Sequence, residues 1–138
     1  MALFLASSTV SLFAAELTPC DKAQAELAAA NACADKEKAE QAYRQVTAAY
    51  PACHAEAAEA QIHIGEIFQN KKMCTDAAAA YEAVVATYKD QPDLCIAALG
   101  KMGRTYRADG KLDEALASFK RIADGYPSRP QSCAEAML

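Results

Sequence analysis

A chain of 138 residues with a formal net charge of −4 has room for one domain with a modest core, and its acids and bases are interspersed. No basic block is present that could neutralise a run of phosphates, which argues against nucleic acid as a partner. The hydrophobic share of 53% leans on alanine, tryptophan is absent and long β-branched runs are missing, so the composition excludes a sheet protein and predicts an all-α fold.

The chain opens with an uncharged stretch, MALFLASSTVSLFAA, over residues 1–15. It is too short to span a bilayer and has the apolar character of a secretory signal peptide; the alternative is an apolar lead-in helix packed on the first helix pair. No stable membrane span is expected in the mature chain. A helical domain is then expected over 16–138. Its first helix pair is placed at about 20–33 and 36–50, the second at about 54–69 and 74–88, and the third at about 93–108 and 112–125. A short helix is expected from about 130 to the end. Tyr50-Pro51 and Tyr126-Pro127 close the first and third pairs, because proline cannot continue the helical ladder. Gln91-Pro92 sets proline at a helix start, and Asp109-Gly110 supplies a turn within the third pair.

These pairs are copies of one another. A shift of 38 residues brings Ala39, Ala77 and Ala115 into register, with Tyr43, Tyr81 and Phe119, then Val46, Val84 and Ile122, then Tyr50, Tyr88 and Tyr126. A second series holds Leu27, Gly65 and Gly103, followed by Phe68 and Tyr106. Spacings of four, three and four residues along the Ala115–Tyr126 series put those side chains on one helical stripe. A fixed period of this length predicts stacked supersecondary units that share a continuous core.

The stretch MGRTYRADGKLDEALASFKRIADGYP resembles a tetratricopeptide repeat. Gly103 and Tyr106 take the small and aromatic places of its first helix, Gly110 the turn, Ala115 and Phe119 the second helix, and Pro127 the terminal proline. The second copy fits through Gly65, Phe68, Ala77 and Tyr81 but lacks the turn glycine; the first fits through Ala39, Tyr43 and Pro51. The resemblance implies an α-solenoid of about three helix pairs plus a short C-terminal helix. The longer period and the closing Tyr-Pro are similar to the bacterial cell-envelope branch of the family. The implied function is a protein–protein interaction scaffold, periplasmic or secreted, holding a partner peptide or protein in its groove. The competing readings are a structural subunit or fragment of a longer array, for which self-association is possible, and a thiol redox protein.

Six cysteines, none in a Cys-x-x-Cys pair, lack the motifs of zinc knuckles and thioredoxin-like chemistry. Their even number favours disulfides in an oxidising compartment over buried thiols. Cys95 and Cys133 share a repeat phase, Cys20 and Cys53 lie at the corresponding edge of earlier copies, and Cys33 and Cys74 lie where the helices of a pair join. Of fifteen possible connectivities, the ranking puts Cys20–Cys53, Cys33–Cys74 and Cys95–Cys133 first, with Cys53–Cys95 as a competitor if stacked helix starts sit too far apart. Each such loop is worth roughly 4 kcal/mol in the chain-entropy picture. Cys74, at a helix start, is the best candidate for the thiol redox reading.

No catalytic set is visible, and neither a cofactor nor a metal is implied. His54 and His63 are nine residues apart, so they do not make a helical metal pair, and no phosphate-binding glycine loop follows a strand. In tetratricopeptide arrays the first helices line the groove. Carried over, that assigns Gln24 and Asn31 to the groove, then Glu59, Ile62, His63, Glu66 and Gln69, then Ala97, Lys101, Arg104 and Arg107. The third copy would thus offer three cations to an acidic partner segment, unless Glu66 and Arg104 pair across the groove.

Overall fold

The computed structural model describes residues 16–137; the apolar segment 1–15 lies outside the described residues. Seven helices follow one another among the described residues: α1 (Pro19–Asn31), α2 (Lys36–Ala49), α3 (His54–Asn70), α4 (Cys74–Thr87), α5 (Pro92–Ala108), α6 (Leu112–Gly125) and α7 (Pro130–Met137). The described residues contain no strand, and the helices pair as α1/α2, α3/α4 and α5/α6, with α7 packed on α5. The protein is an all-α, tetratricopeptide-like solenoid of three helix pairs and a short closing helix.

Local chemistry sets the helix ends. Thr18 caps α1 in a reciprocal box with Asp21, and Pro19 occupies the first turn, where its missing N–H costs nothing. The Asp35 carboxylate accepts from the backbone N–H groups of Glu37 and Lys38 to start α2. Tyr50, Tyr88 and Tyr126 end α2, α4 and α6 in the same backbone conformation, each N–H bonding to the carbonyl four residues back.

The turns inside the second and third pairs are superimposable in their hydrogen bonds. Lys111 N–H reaches the Tyr106 carbonyl and Gly110 N–H the Arg107 carbonyl, while Met73 reaches Phe68 and Lys72 reaches Gln69. This is the Schellman ending, which requires a left-handed residue just past the helix. Gly110 supplies it at φ +76°, and Lys72 is forced into it at φ +62°.

Glycine of another use appears on the helix faces. A Cβ at Gly65 would stand 2.5 Å from the Tyr81 ring, and one at Gly103 would stand 2.7 Å from the Phe119 ring. The second and third units therefore match a missing side chain on the first helix to an aromatic ring on the second, whereas the first unit carries Leu27 in that place. Tyr81 is fully buried, and its hydroxyl donates to Gln69 Oε1 at 3.0 Å. Tyr43 repeats the device by donating to Asn31 Oδ1 at 2.7 Å.

The buried side chains form two clusters that meet in α3. Ala60, Ile64 and Ile67 pack toward α1 and α2, whereas Ala57, Ala58 and Ile62 pack with α4, α5 and α7. Ile62 is thus a core residue at 5% exposure and not a groove residue. Its repeat equivalent, Gly100, explains why: a Cβ there would meet the backbone of Ala136 in α7. This position faces the next first-type helix in the stack, where a side chain either interlocks or must be absent.

The structure carries one disulfide, Cys20–Cys53, with a Cα–Cα distance of 5.3 Å; Cys33, Cys74, Cys95 and Cys133 are free thiols. The expected Cys33–Cys74 and Cys95–Cys133 bridges are absent, as is Cys53–Cys95. Cys95 and Cys133 are in phase, so a full helix-stacking distance of about 8–10 Å separates such positions, beyond the reach of about 7 Å for a bridge. Each instead buries its thiol against the end of the preceding unit: Cys95 on the carbonyl of Tyr88 at 3.2 Å, Cys133 on that of Tyr126 at 3.4 Å. Cys74 faces forward, its thiol 4.0 Å from the Thr105 carbonyl, while Cys33 turns onto the Asp35 carbonyl at 3.4 Å. Cys53 bridges because it lies out of phase with Cys20, in the link that runs back past the start of α1.

Candidate functional site

The first helices α1, α3 and α5 present a polar face whose side chains largely engage one another. At its centre, Glu66 on α3 accepts from His63 Nδ1 at 2.8 Å and from Lys101 Nζ on α5 at 2.5 Å. The carboxylate can only accept, so the His63 proton sits on Nδ1. His63 also stacks on the Tyr43 ring of α2, centroid to centroid 5.0 Å, and its Nε2 lies 3.7 Å from Glu59. This network ties three helices from three units together.

The charges tune one another. The hydrogen bond from His63, aided by Lys101, pulls the half-buried Glu66 carboxyl down to about 2, against the cost of its own burial. The His63 imidazole is raised above its ordinary value, chiefly by that same bond to Glu66. Glu66 pairs with Lys101 and not with Arg104, because Arg104 is occupied elsewhere. Its guanidinium donates to the carbonyl of Ala136 on α7. Arg129 and Ser132 reach Asp93 and hold the other end of α7 against α5.

Of the residues assigned to the groove by sequence, Gln69 is held by Tyr81 and Asn31 by Tyr43. Glu59, Gln24 and Arg107 are exposed, and Arg107 makes no ion pair among the described residues. A cavity of about 280 Å³ opens between α5 and α7, lined by Ala97, Lys101, Arg104 and Glu135 among others. A second, of about 160 Å³, lies beside Asn31, Tyr43, His63 and Glu66. Sequence reasoning missed Tyr43, whose place in the repeat marks it as core, although its ring stacks on His63.

The remaining chemistry-bearing residues lie apart from this face. His54 bonds Asp90 through Nδ1 at 2.8 Å and packs edge-on against Tyr88. The sulfurs of Cys20 and Cys53 and a carboxylate oxygen of Glu56 lie within 4.8 Å of one another, but sulfurs joined to each other offer no thiolate to a cation. Burial, with Asp109 beside it, pushes the Cys74 thiol up, and burial does the same to Cys95. A redox-active thiol needs the opposite shift. No helix among the described residues is long and apolar enough to cross a membrane.

Residues 97–128 match the tetratricopeptide repeat family. The matched stretch is most of α5, the turn at Gly110, all of α6 and the Tyr126-Pro127 close. It contains Gly103 and Phe119, the contact that Gly65 and Tyr81 reproduce one unit earlier. Repeats of this family generally mediate protein–protein contacts and are typically scaffolds without catalytic activity. No curated protein and no solved structure matches the chain.

Proposed function

We propose that the protein is an interaction scaffold of the bacterial cell envelope that holds a segment of a partner protein along the face formed by α3 and α5. The observation that carries this reading is the built character of that face. Glu59, His63, Glu66 and Lys101 are fixed by one another and by Tyr43, so a partner meets a preorganised polar wall and loses little to ordering it. The acidic-partner idea narrows to the cation left over: Lys101 and Arg104 serve the fold, and Arg107 projects free at the edge of the same face. A disulfide between the starts of α1 and α3 and an apolar leader are what support a periplasmic or secreted location.

The test is site-specific photo-crosslinking in cells. A photoreactive residue at Glu59 or Arg107 should trap one discrete partner, and one at Lys89, on the far side, should not. Arg107→Glu should weaken that partner at least tenfold without changing the helical spectrum. Equal trapping from both sides, or indifference to Arg107→Glu, refutes the groove. Sequencing the N-terminus of the cell-derived protein checks the compartment: a start at Glu16 agrees with export, and a retained Met1 opposes it.

A further inference from the structure

Both ends of the Cys20–Cys53 bridge sit at helix starts. Cys20 lies in the first turn of α1, and Cys53 is the N-cap of α3, whose first N–H groups receive no side-chain hydrogen bond. Free N–H groups and the positive end of a helix dipole favour a thiolate over a thiol. Glu56 follows in the first turn of α3, and one of its carboxylate oxygens lies within 4.8 Å of both sulfurs. Two sulfurs and a carboxylate oxygen are a donor set that suits Zn²⁺ and its borderline-soft relatives.

Packing keeps this set together without the bond. Cys53 is 3% exposed inside the first cluster, and Cys20 packs against that cluster. Ala23, Leu27 and Ala30, all buried, hold α1 in place. Opening the bridge therefore leaves two thiols side by side, with Glu56 next to them. His54 follows Cys53 in the chain but is engaged with Asp90. A tetrahedral ion thus takes three ligands from the chain and the fourth from water, which enters past half-buried Cys20 and Glu56.

We infer that reduction of the Cys20–Cys53 bridge uncovers a site for one zinc-class divalent cation, held by Cys20, Cys53 and Glu56. A dithiol reductant gives two electrons and two protons to the bridge, becomes its own disulfide, and leaves two thiols on the chain. The cation then displaces both thiol protons to solvent and bonds the two thiolates and the Glu56 carboxylate, so binding tightens as pH rises. Disulfide and cation are alternative cross-links between the starts of α1 and α3. Glu56 precedes Glu66 by ten residues, about 15 Å along the helix, so this site is separate from the Glu66–Lys101 wall.

The test uses the full-length chain, reduced with a dithiol, freed of reductant without air and titrated with Co²⁺ as a coloured stand-in for Zn²⁺. One equivalent should raise a thiolate-to-cobalt charge-transfer band and a tetrahedral visible spectrum, and Zn²⁺ should displace both. The oxidised chain keeps Cys33, Cys74, Cys95 and Cys133 as thiols and should give neither. Losing a second-shell partner already costs about 10–100-fold in affinity, so Glu56→Gln should weaken binding by about tenfold or more. One equivalent of Zn²⁺ should also raise the melting midpoint of the reduced chain toward that of the oxidised one. A reduced chain without the band overturns the inference, as does an oxidised chain with a band of equal strength. A loosened chain binding through any pair of its six cysteines would be indifferent to Glu56→Gln, and that indifference overturns it too.

Discussion

Lys72 and Gly110 occupy the same place in two copies of one unit, with the same hydrogen bonds around them and φ values of +62° and +76°. They make a matched experiment on backbone strain. A non-glycine residue in the left-handed region costs about 1–2 kcal/mol. Lys72→Gly removes that cost but returns about 0.4–1 kcal/mol through the greater freedom of glycine in the unfolded chain. The Lys72 side chain is exposed, so its loss subtracts little. The net expectation is a stabilisation of about 0.5–1 kcal/mol, which moves the midpoint of a chain this size by about 2–5 °C. Gly110→Ala should destabilise by a similar amount. A Cβ there meets nothing within 4 Å, so the loss reports φ alone. Urea melts of both variants followed by circular dichroism supply the free energies. A neutral or destabilising Lys72→Gly beside a neutral Gly110→Ala refutes the argument, because it means that the turn does not hold these residues in the left-handed region.

Two further outcomes concern the bridge and the central network. Opening Cys20–Cys53, by reduction or by replacing both cysteines with serine, removes a cross-link spanning 33 residues worth up to about 4 kcal/mol. The melting midpoint should fall by at least about 5 °C, and amide exchange should rise first in α1; an unchanged midpoint contradicts the bridge. For Glu66 the folded carboxyl lies at about 2 against an ordinary 4.5, so its contribution is present above pH 4.5 and is lost as pH falls toward 2. For His63 the folded value is raised above 6.5, so its contribution is complete below that pH and is lost as pH climbs through the raised value. The network should therefore contribute most between pH 4.5 and 6.5, by about 1 kcal/mol after allowance for solvent screening. Glu66→Gln should flatten the profile, and a wild-type profile in that variant disproves the coupling.

The helices and their phase are legible in the sequence because the signals are local. Proline and tyrosine at the unit ends, and the matching of small and aromatic residues at Gly65/Tyr81 and Gly103/Phe119, act within one helix pair. What phase does not encode is distance between units. In-phase Cys95 and Cys133 look paired in an alignment and are kept apart by a helix diameter, while out-of-phase Cys20 and Cys53 meet. Ile62 has the spacing of a groove residue relative to Glu59 and Glu66, yet it turns into the core because that position faces the next first-type helix. The groove's charges look free for a partner in the sequence because their internal partners lie in other elements of the stack: the carbonyl of Ala136 for Arg104, and Glu66 for Lys101. Only reach across the stack, which periodicity omits, decides between Lys101 and Arg104 for Glu66.

The sharing of α3 between two cores has a consequence for how the molecule comes apart. One flank of this helix, at Ile64 and Ile67, belongs to the first unit, and the other, at Ala58 and Ile62, belongs to the second. It acts as a party wall: neither neighbour keeps its interior if the wall goes down. Melting that starts at either end should therefore halt at α3 before it crosses, giving two steps with a common final event. The Cys20–Cys53 bridge fastens α1 to that wall, so the first unit stays tethered to α3 even when its own interior has opened.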